Sequence, residues 1–202
     1  MSTRRVVLAS SNAGKLREFS ELLAASGLEL ARQSDFQIAA PPETGVTFLE
    51  NALIKARNAS GIARLPAIAD DSGIEVDALG GAPGVYSARY AGEGASDEQN
   101  LDKLLRALDG LPAQRRTARY RCVIVYVENA DDPRPLVGEG TWEGNIIPDR
   151  RGSGGFGYDP SFVPLGDTRT VAEMPAAEKH AQSHRGQAMR AFLAQFSSRA
   201  SA

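Results

Sequence analysis

Two acids stand side by side at the end of a short apolar run: Ala67-Ile68-Ala69-Asp70-Asp71-Ser72-Gly73. Adjacent anions repel each other in a dry site, so solvent, a basic partner or a divalent cation must answer the charge. Oxygen-only ligands of this kind suit Mg²⁺, which usually arrives with substrate phosphates. The pair therefore points to phosphate-ester or nucleotide chemistry. The same residues also favour a solvated Asp-Ser-Gly turn, and taken alone the segment fits that turn better than a site.

Three further constellations could carry chemistry. Ser10-Ser11-Asn12-Ala13-Gly14-Lys15 lies between an apolar run and an amphipathic one. A helix N-terminus offers unpaired N–H groups to an anion, and a lysine in its first turn opposes the helix dipole by about 0.3–1 kcal/mol. That cost is offset if Lys15 faces a polyphosphate; the bland reading is a capped helix with a solvated lysine. The loop is not a Walker A motif, because Leu16 stands where Ser or Thr is required and Ala9 where the first glycine is. Gly154-Gly155-Phe156-Gly157-Tyr158-Asp159-Pro160 sets two aromatics among glycines. Phe156 and Tyr158 offer stacking faces to a flat ligand, worth about 1–3 kcal/mol per base, and Asp159 can accept from a base edge; alternatively the rings fold back onto the core. Lys179, His180, His184 and Arg185 bring donors together near the C-terminus. His180 and His184 have zinc-ligand spacing but lack the glutamate of the metalloprotease motif, so hydrogen bonding to a carbonyl or phosphate is the better chemistry. Glu43, in a loop stiffened by Pro41 and Pro42, could join Asp71 on a metal or be a plain surface acid.

The elements that must position these residues are readable. Arg5 to Ala9 predicts a buried strand, followed by a helix from about Gly14 to Ala25. Thr47 and Glu50 form a capping box for a helix from Phe48 to Ser60, with Gly61 as its stop. Ala67 to Asp70 reads as one strand and Ile74 to Leu79 as another. Ser96 and Gln99 open a third helix. Ala118 to Glu128 is near-continuously apolar from Cys122 to Val127, the pattern of a central strand. A turn at Asp131–Pro135 leads into a strand over Leu136–Trp142, and Ser183 predicts a break before the C-terminal helix. Strands alternating with helices, plus one hairpin, imply an α/β fold with a mixed sheet.

Composition bounds the rest. The 202 residues suffice for one large domain, here taken as a single domain over 1–202. The one cysteine, Cys122, excludes an internal disulfide and suits a reducing cytoplasm. A net charge of −2 argues against nucleic acid as partner, and no apolar run is long enough for a membrane span. Arg115, Arg116, Arg119 and Arg121 read as a solvated strand edge.

Together the segments resemble the inosine triphosphate pyrophosphatase family over Val6 to Phe192. The resemblance is carried by Ser10–Lys15 with Glu18, Thr44-Gly45 through Glu50-Asn51-Ala52, Ala67–Gly73, Gly80–Gly84 with Ser87–Tyr90, Gly155–Pro160, and Ser183-His184-Arg185-Gly186. It implies an elongated mixed β-sheet flanked by helices, with two lobes and an active-site cleft between them. It implies Mg²⁺-dependent hydrolysis of ITP, dITP and XTP to monophosphate and pyrophosphate, in a homodimer. On this resemblance Ser10, Ser11, Asn12, Ala13, Gly14 and Lys15 meet the triphosphate, with Lys15 also catalytic. Asp71 is general base and metal ligand, Ser72 a substrate contact, and Glu43 a second metal position. Phe156, Gly157, Tyr158 and Asp159 match the nucleobase pocket, and Lys179, His184 and Arg185 further substrate contacts, the last two at the 6-keto edge. Many relatives carry two acids where this chain has Pro42-Glu43, which weakens the metal role of Glu43 alone. Two alternatives remain: a Maf-type pyrophosphatase of pyrimidine or modified nucleotides, and a non-catalytic nucleotide sensor.

Overall fold

The computed structural model describes residues 4–24 and 26–200. The chain runs β1 (Arg4–Leu8), α1 (Ala13–Leu22), β2 (Leu28–Arg32), α2 (Phe48–Ala63), β3 (Ala67–Val76), α3 (Asp97–Ala107), β4 (Thr117–Val127), β5 (Leu136–Ile146), β6 (Phe162–Pro164), α4 (Ala176–Gln182) and α5 (His184–Ala200), with short 3-10 turns between. The strand order is β2-β1-β3-β4-β5-β6. β1 pairs in parallel with β2 and β3, whereas β5 and β6 are antiparallel, so the sheet is mixed. No helix among the described residues is long and apolar enough to cross a membrane.

The contacts divide into two compact units. The first holds the chain up to Asp71, Cys122–Gly140 and Arg185 onward; the second holds Ser72–Arg121 and Thr141–His184. Strands β3, β4 and β5 each contribute residues to both.

In the first unit β1 is buried at Val6, Val7 and Leu8 alike, as a strand with parallel neighbours requires. Val6 and Leu8 pack with Phe19 of α1 and Leu23 that caps it, with Ile68, Ile124 and Tyr126, and with Met189 and Phe192 of α5. Burying each such large apolar side chain contributes about 1.5–3 kcal/mol. In the second unit Ile74, Val76, Leu101, Leu104, Leu108, Tyr120, Trp142, Tyr158 and Phe162 form the core.

Several boundaries differ from the expectation. The predicted turn at Asp71–Gly73 is strand: β3 runs unbroken from Ala67 to Val76 and the chain turns only after it. Tertiary contacts override the turn residues here. Ile74 N–H donates to Ser87 Oγ at 2.9 Å, and a Cβ on Gly73 would sit 2.4 Å from both the Gly84 carbonyl oxygen and Ser87 Oγ. Gly73 is present because another backbone passes close, not because the chain bends. Helix α2 runs through Gly61 to Ala63, with Arg64 as its left-handed cap. Helix α1 ends at Leu22, and Ala25, the expected end, lies outside the described residues. The Thr47–Glu50 and Ser96–Gln99 capping boxes are present, and Ser183 separates α4 from α5 as expected.

Candidate active site

In the first unit the chemistry gathers around the two adjacent aspartates. Side chains alternate along a strand, and Asp70 and Asp71 meet different partners. Asp70 is 1% exposed. Its Oδ2 lies 2.9 Å from Lys15 Nζ and 3.2 Å from Arg185 Nη2. Arg185, also 1% exposed, forms a second ion pair with Glu18 of α1. Burial works to raise the Asp70 pKa, but Lys15, Arg185 and Lys55 outweigh it and hold the carboxyl well below its ordinary range.

Asp71 is placed differently. Its Oδ1 accepts from Lys55 Nζ at 2.7 Å, and the same ammonium reaches Glu43 Oε1 at 3.2 Å. Its Oδ2 is buried and has no hydrogen-bond partner. Burial raises the Asp71 pKa, and the opposing pull of Lys55 does not cancel it. The neighbouring acids thus divide the work: one is held ionised by cations, the other kept basic with an oxygen available. Glu43 and Asp71 are brought together, as expected, but through Lys55 of α2, which the sequence reading passed over. A lysine in the middle of an amphipathic helix carries no signal that separates it from a solvated one.

The loop before α1 is shaped by Asn12, the N-cap, whose Oδ1 accepts from Gly14 N–H at 2.8 Å and Lys15 N–H at 3.1 Å. Ser10 Oγ accepts from Asn12 N–H at 3.3 Å. Ser11 and Asn12 are exposed, whereas Ser10, Gly14 and Lys15 are half-buried. Ala13 begins the helix. The cap aims α1 so that Lys15 reaches Asp70.

The second unit holds the aromatic loop. Asp159, 3% exposed, accepts on Oδ1 from Tyr120 O–H at 3.0 Å. Its Oδ2 accepts from Phe156 N–H at 2.9 Å and Lys179 Nζ at 2.8 Å. Lys179 Nζ also lies 4.6 Å from the centre of the Phe156 ring, a cation–π contact. Gly157 N–H donates to Asp97 of α3 at 2.8 Å. Gly155 sits at φ +73°, where a Cβ would meet Asp159 Oδ2 at 2.0 Å. Of the two expected stacking rings, Tyr158 is 4% exposed and turned into the core, its hydroxyl donating to the Ser87 carbonyl at 2.7 Å; Phe156 keeps partial exposure. His184 stacks on Tyr120 with centroids 4.6 Å apart and planes 9° from parallel. Ser72 is half-buried in β3 beside Asp71 in sequence. Arg185, expected at a base edge, points instead to Asp70 and Glu18.

A divalent cation would find few protein ligands. Among the described residues no group of three or more His, Cys, Asp or Glu side chains converges as a metal site. The unpartnered buried Oδ2 of Asp71, with the Glu43 carboxylate near Lys55, fits an ion that takes one or two protein oxygens and completes its shell from phosphates and water.

The sequence pattern of the Ham1 family matches residues 6–195. A dITP/XTP pyrophosphatase of Methylococcus capsulatus is 58% identical over 185 residues, covering 92% of each chain. One of Thioalkalivibrio sulfidiphilus is 56% identical over 189 residues, covering 94% of this chain and 96% of its own. Among solved structures, a HAM1 protein of Coxiella burnetii superposes with a TM-score of 0.89 at 46% identity, covering 96% of this chain and 99% of that one.

Proposed function

The chain belongs to the Ham1 family, and from that premise we propose how its residues carry out the reaction. It hydrolyses non-canonical purine nucleoside triphosphates (ITP, dITP and XTP) to the monophosphate and pyrophosphate. The observation that carries the residue assignment is Asp71: a buried carboxylate with raised basicity, one oxygen held by Lys55 and the other without a partner.

Asp71 orients and deprotonates the water that attacks the α-phosphorus. A general base contributes about 10²–10⁴-fold when its pKa moves toward the working pH, and burial moves Asp71 in that direction. Lys55 holds Oδ1 of the carboxylate, which leaves Oδ2 as the available oxygen. Lys15, in the first turn of α1, stabilises charge on the departing pyrophosphate, and Ser10 to Gly14 line the phosphates. Asp70, fixed between Lys15 and Arg185, keeps the Lys15 ammonium in place. Asp71 with Glu43 would hold Mg²⁺, which when bound would supply charge neutralisation at the phosphate oxygens. Ser72 contacts substrate.

Phe156 offers a face to the base, with Gly157, Tyr158 and Asp159 shaping the pocket around it. Lys179 and His184 offer donors to a 6-keto oxygen. A donor there accepts hypoxanthine and xanthine and meets the amino group of adenine. Sites built on a specific hydrogen bond discriminate by about 10⁴–10⁵. The reading extends to one functional domain over 1–202, a cytoplasmic location and a homodimer, the last tested by light scattering on the purified chain.

Pyrophosphate release with Mg²⁺ across ITP, dITP, XTP, GTP, ATP, UTP and dTTP tests the function. We expect turnover of the first three well above the rest. Preference for UTP or dTTP would move the protein to the Maf-type reading, and binding without turnover to a sensor.

A further inference from the structure

Tyr120 has no part in the chemistry just assigned, yet it touches two of the second unit's base-handling residues, Asp159 and His184. It lies in β4, 6% exposed. Its hydroxyl donates to Asp159 Oδ1 at 3.0 Å. One face of its ring is stacked on His184, and Phe162 packs against it with centroids 4.6 Å apart and planes at 57°. Through Asp159 it reaches two more groups, since Oδ2 of that carboxylate holds the Phe156 amide and the Lys179 ammonium.

A core ring needs no hydroxyl. Burying one costs free energy unless it is hydrogen-bonded, and phenylalanine would fill the same space without that demand. The hydroxyl is therefore explained by what it holds. Burial, with the Asp159 charge beside it, keeps the phenol protonated far into the alkaline range, so it remains a donor wherever the protein works. Three donors on one buried carboxylate leave it a single orientation. That orientation sets the Phe156 backbone and the Lys179 ammonium together.

We infer that Tyr120 is a positioning residue for nucleobase discrimination: its hydroxyl fixes Asp159, its ring fixes the His184 imidazole by stacking, and it touches no substrate itself. This rests on the proposed function for what is discriminated, but not for what is positioned. The two halves separate by substitution. Tyr120→Phe removes the hydroxyl and keeps the stack; Tyr120→Leu removes both.

The experiment measures kcat and KM for ITP and ATP with Mg²⁺, amide exchange at Phe156, and the side-chain resonances of His184. Losing a hydrogen bond to a charged group is worth about a tenfold effect or somewhat more. Tyr120→Phe is expected to raise KM for ITP about tenfold with kcat nearly unchanged, to lower the ITP-over-ATP preference by a similar factor, and to speed exchange at Phe156 while the His184 resonances stay in place. Tyr120→Leu is expected to shift the His184 resonances as well, through loss of the ring current. Tyr126→Phe, the same change in the core of the first unit, should leave KM and preference unchanged. A folded Tyr120→Phe with wild-type KM, preference and Phe156 exchange overturns the inference. So does an equal loss of kcat on every nucleotide without a change in KM, which is the mark of a merely structural role. If Tyr120→Leu does not fold, Tyr120→Phe decides alone. Should the unaltered protein hydrolyse none of ITP, dITP and XTP, the proposed function fails. Phe156 exchange in Tyr120→Phe then still upholds the positioning if faster and overturns it if unchanged.

Discussion

The two units hold their functional residues by different forces. In the first, formal charges do it: Lys15, Arg185 and Lys55 against Asp70, Asp71, Glu18 and Glu43. In the second, one carboxylate is shared among a phenol, an amide and an ammonium, with rings packed around it. On the proposed function, the contrast answers to the two ends of a nucleotide. A triphosphate is recognised by charge and needs cations kept in readiness. A base is recognised by shape and a few donors, which need rigidity.

The largest break should come at Asp71. Asp71→Asn keeps the side-chain volume but removes the base, and turnover is expected to fall about 10²–10⁴-fold while nucleotide affinity is retained. Near-normal pyrophosphate release by this variant would remove Asp71 from its role. Asp70→Asn should act on stability instead. It leaves the buried Arg185 guanidinium short of counter-charge, and breaking a buried pair costs about 3–5 kcal/mol, readable from urea melts. The pH dependence has a definite sign. Asp70 is more acidic folded than unfolded, so its stabilisation is full above the unfolded value near about 4 and is lost as pH falls through the folded one. The variant should lack that acid-side loss.

These two outcomes separate what was legible in the sequence from what was not. The Asp70–Asp71 pair, the helix caps at Thr47 and Ser96, and the break at Ser183 are written locally, in residues within a few positions of each other, and could be read. Asp-Ser-Gly favours a turn and so predicts an end of β3 at Asp70; only the close passage of Gly84 and Ser87 explains why those residues are extended. Lys55, Tyr120 and the turn of Arg185 toward Glu18 depend on partners far along the chain, for which one sequence carries no local mark. Mixed α/β architecture was legible from the alternation of elements; β2 and β6, at the ends of the strand order, were not.

Smaller effects sharpen the second half of the comparison. Gly155→Ala puts a Cβ against the Asp159 carboxylate at a positive φ; a left-handed conformation alone costs about 1–2 kcal/mol. The expected result is a lowered melting temperature and a raised KM for ITP, with little change in kcat. An unchanged KM would mean that the aromatic loop is not held by Asp159. The smallest expected effect is at Cys122, beside Asp70 in the first unit. Burial, with the Asp70 charge, pushes its thiol up to about 12. Because the thiolate is the reactive form, mass spectrometry after iodoacetamide treatment at pH 8 should find it unmodified in the folded protein and modified after denaturation.

The adjacency of Asp70 and Asp71 also acts before any substrate arrives. Strand β3 is set against β1 with Val7 opposite Ala67 and Leu8 opposite Ile68. A slip of one residue turns every side chain to the other face. Slipped one way, Asp71 would stand at Lys15 and Arg185 with Ser72 before Lys55; slipped the other way, Asp70 would stand before Lys55 with Ala69 at Lys15 and Arg185, and either way buried cations lose the anion shaped for them. Uncompensated charge is far costlier than misplaced methyl groups. The residues proposed to run the reaction therefore also count the strand into place, and a chain that folded in the wrong register would be penalised at its own catalytic pair.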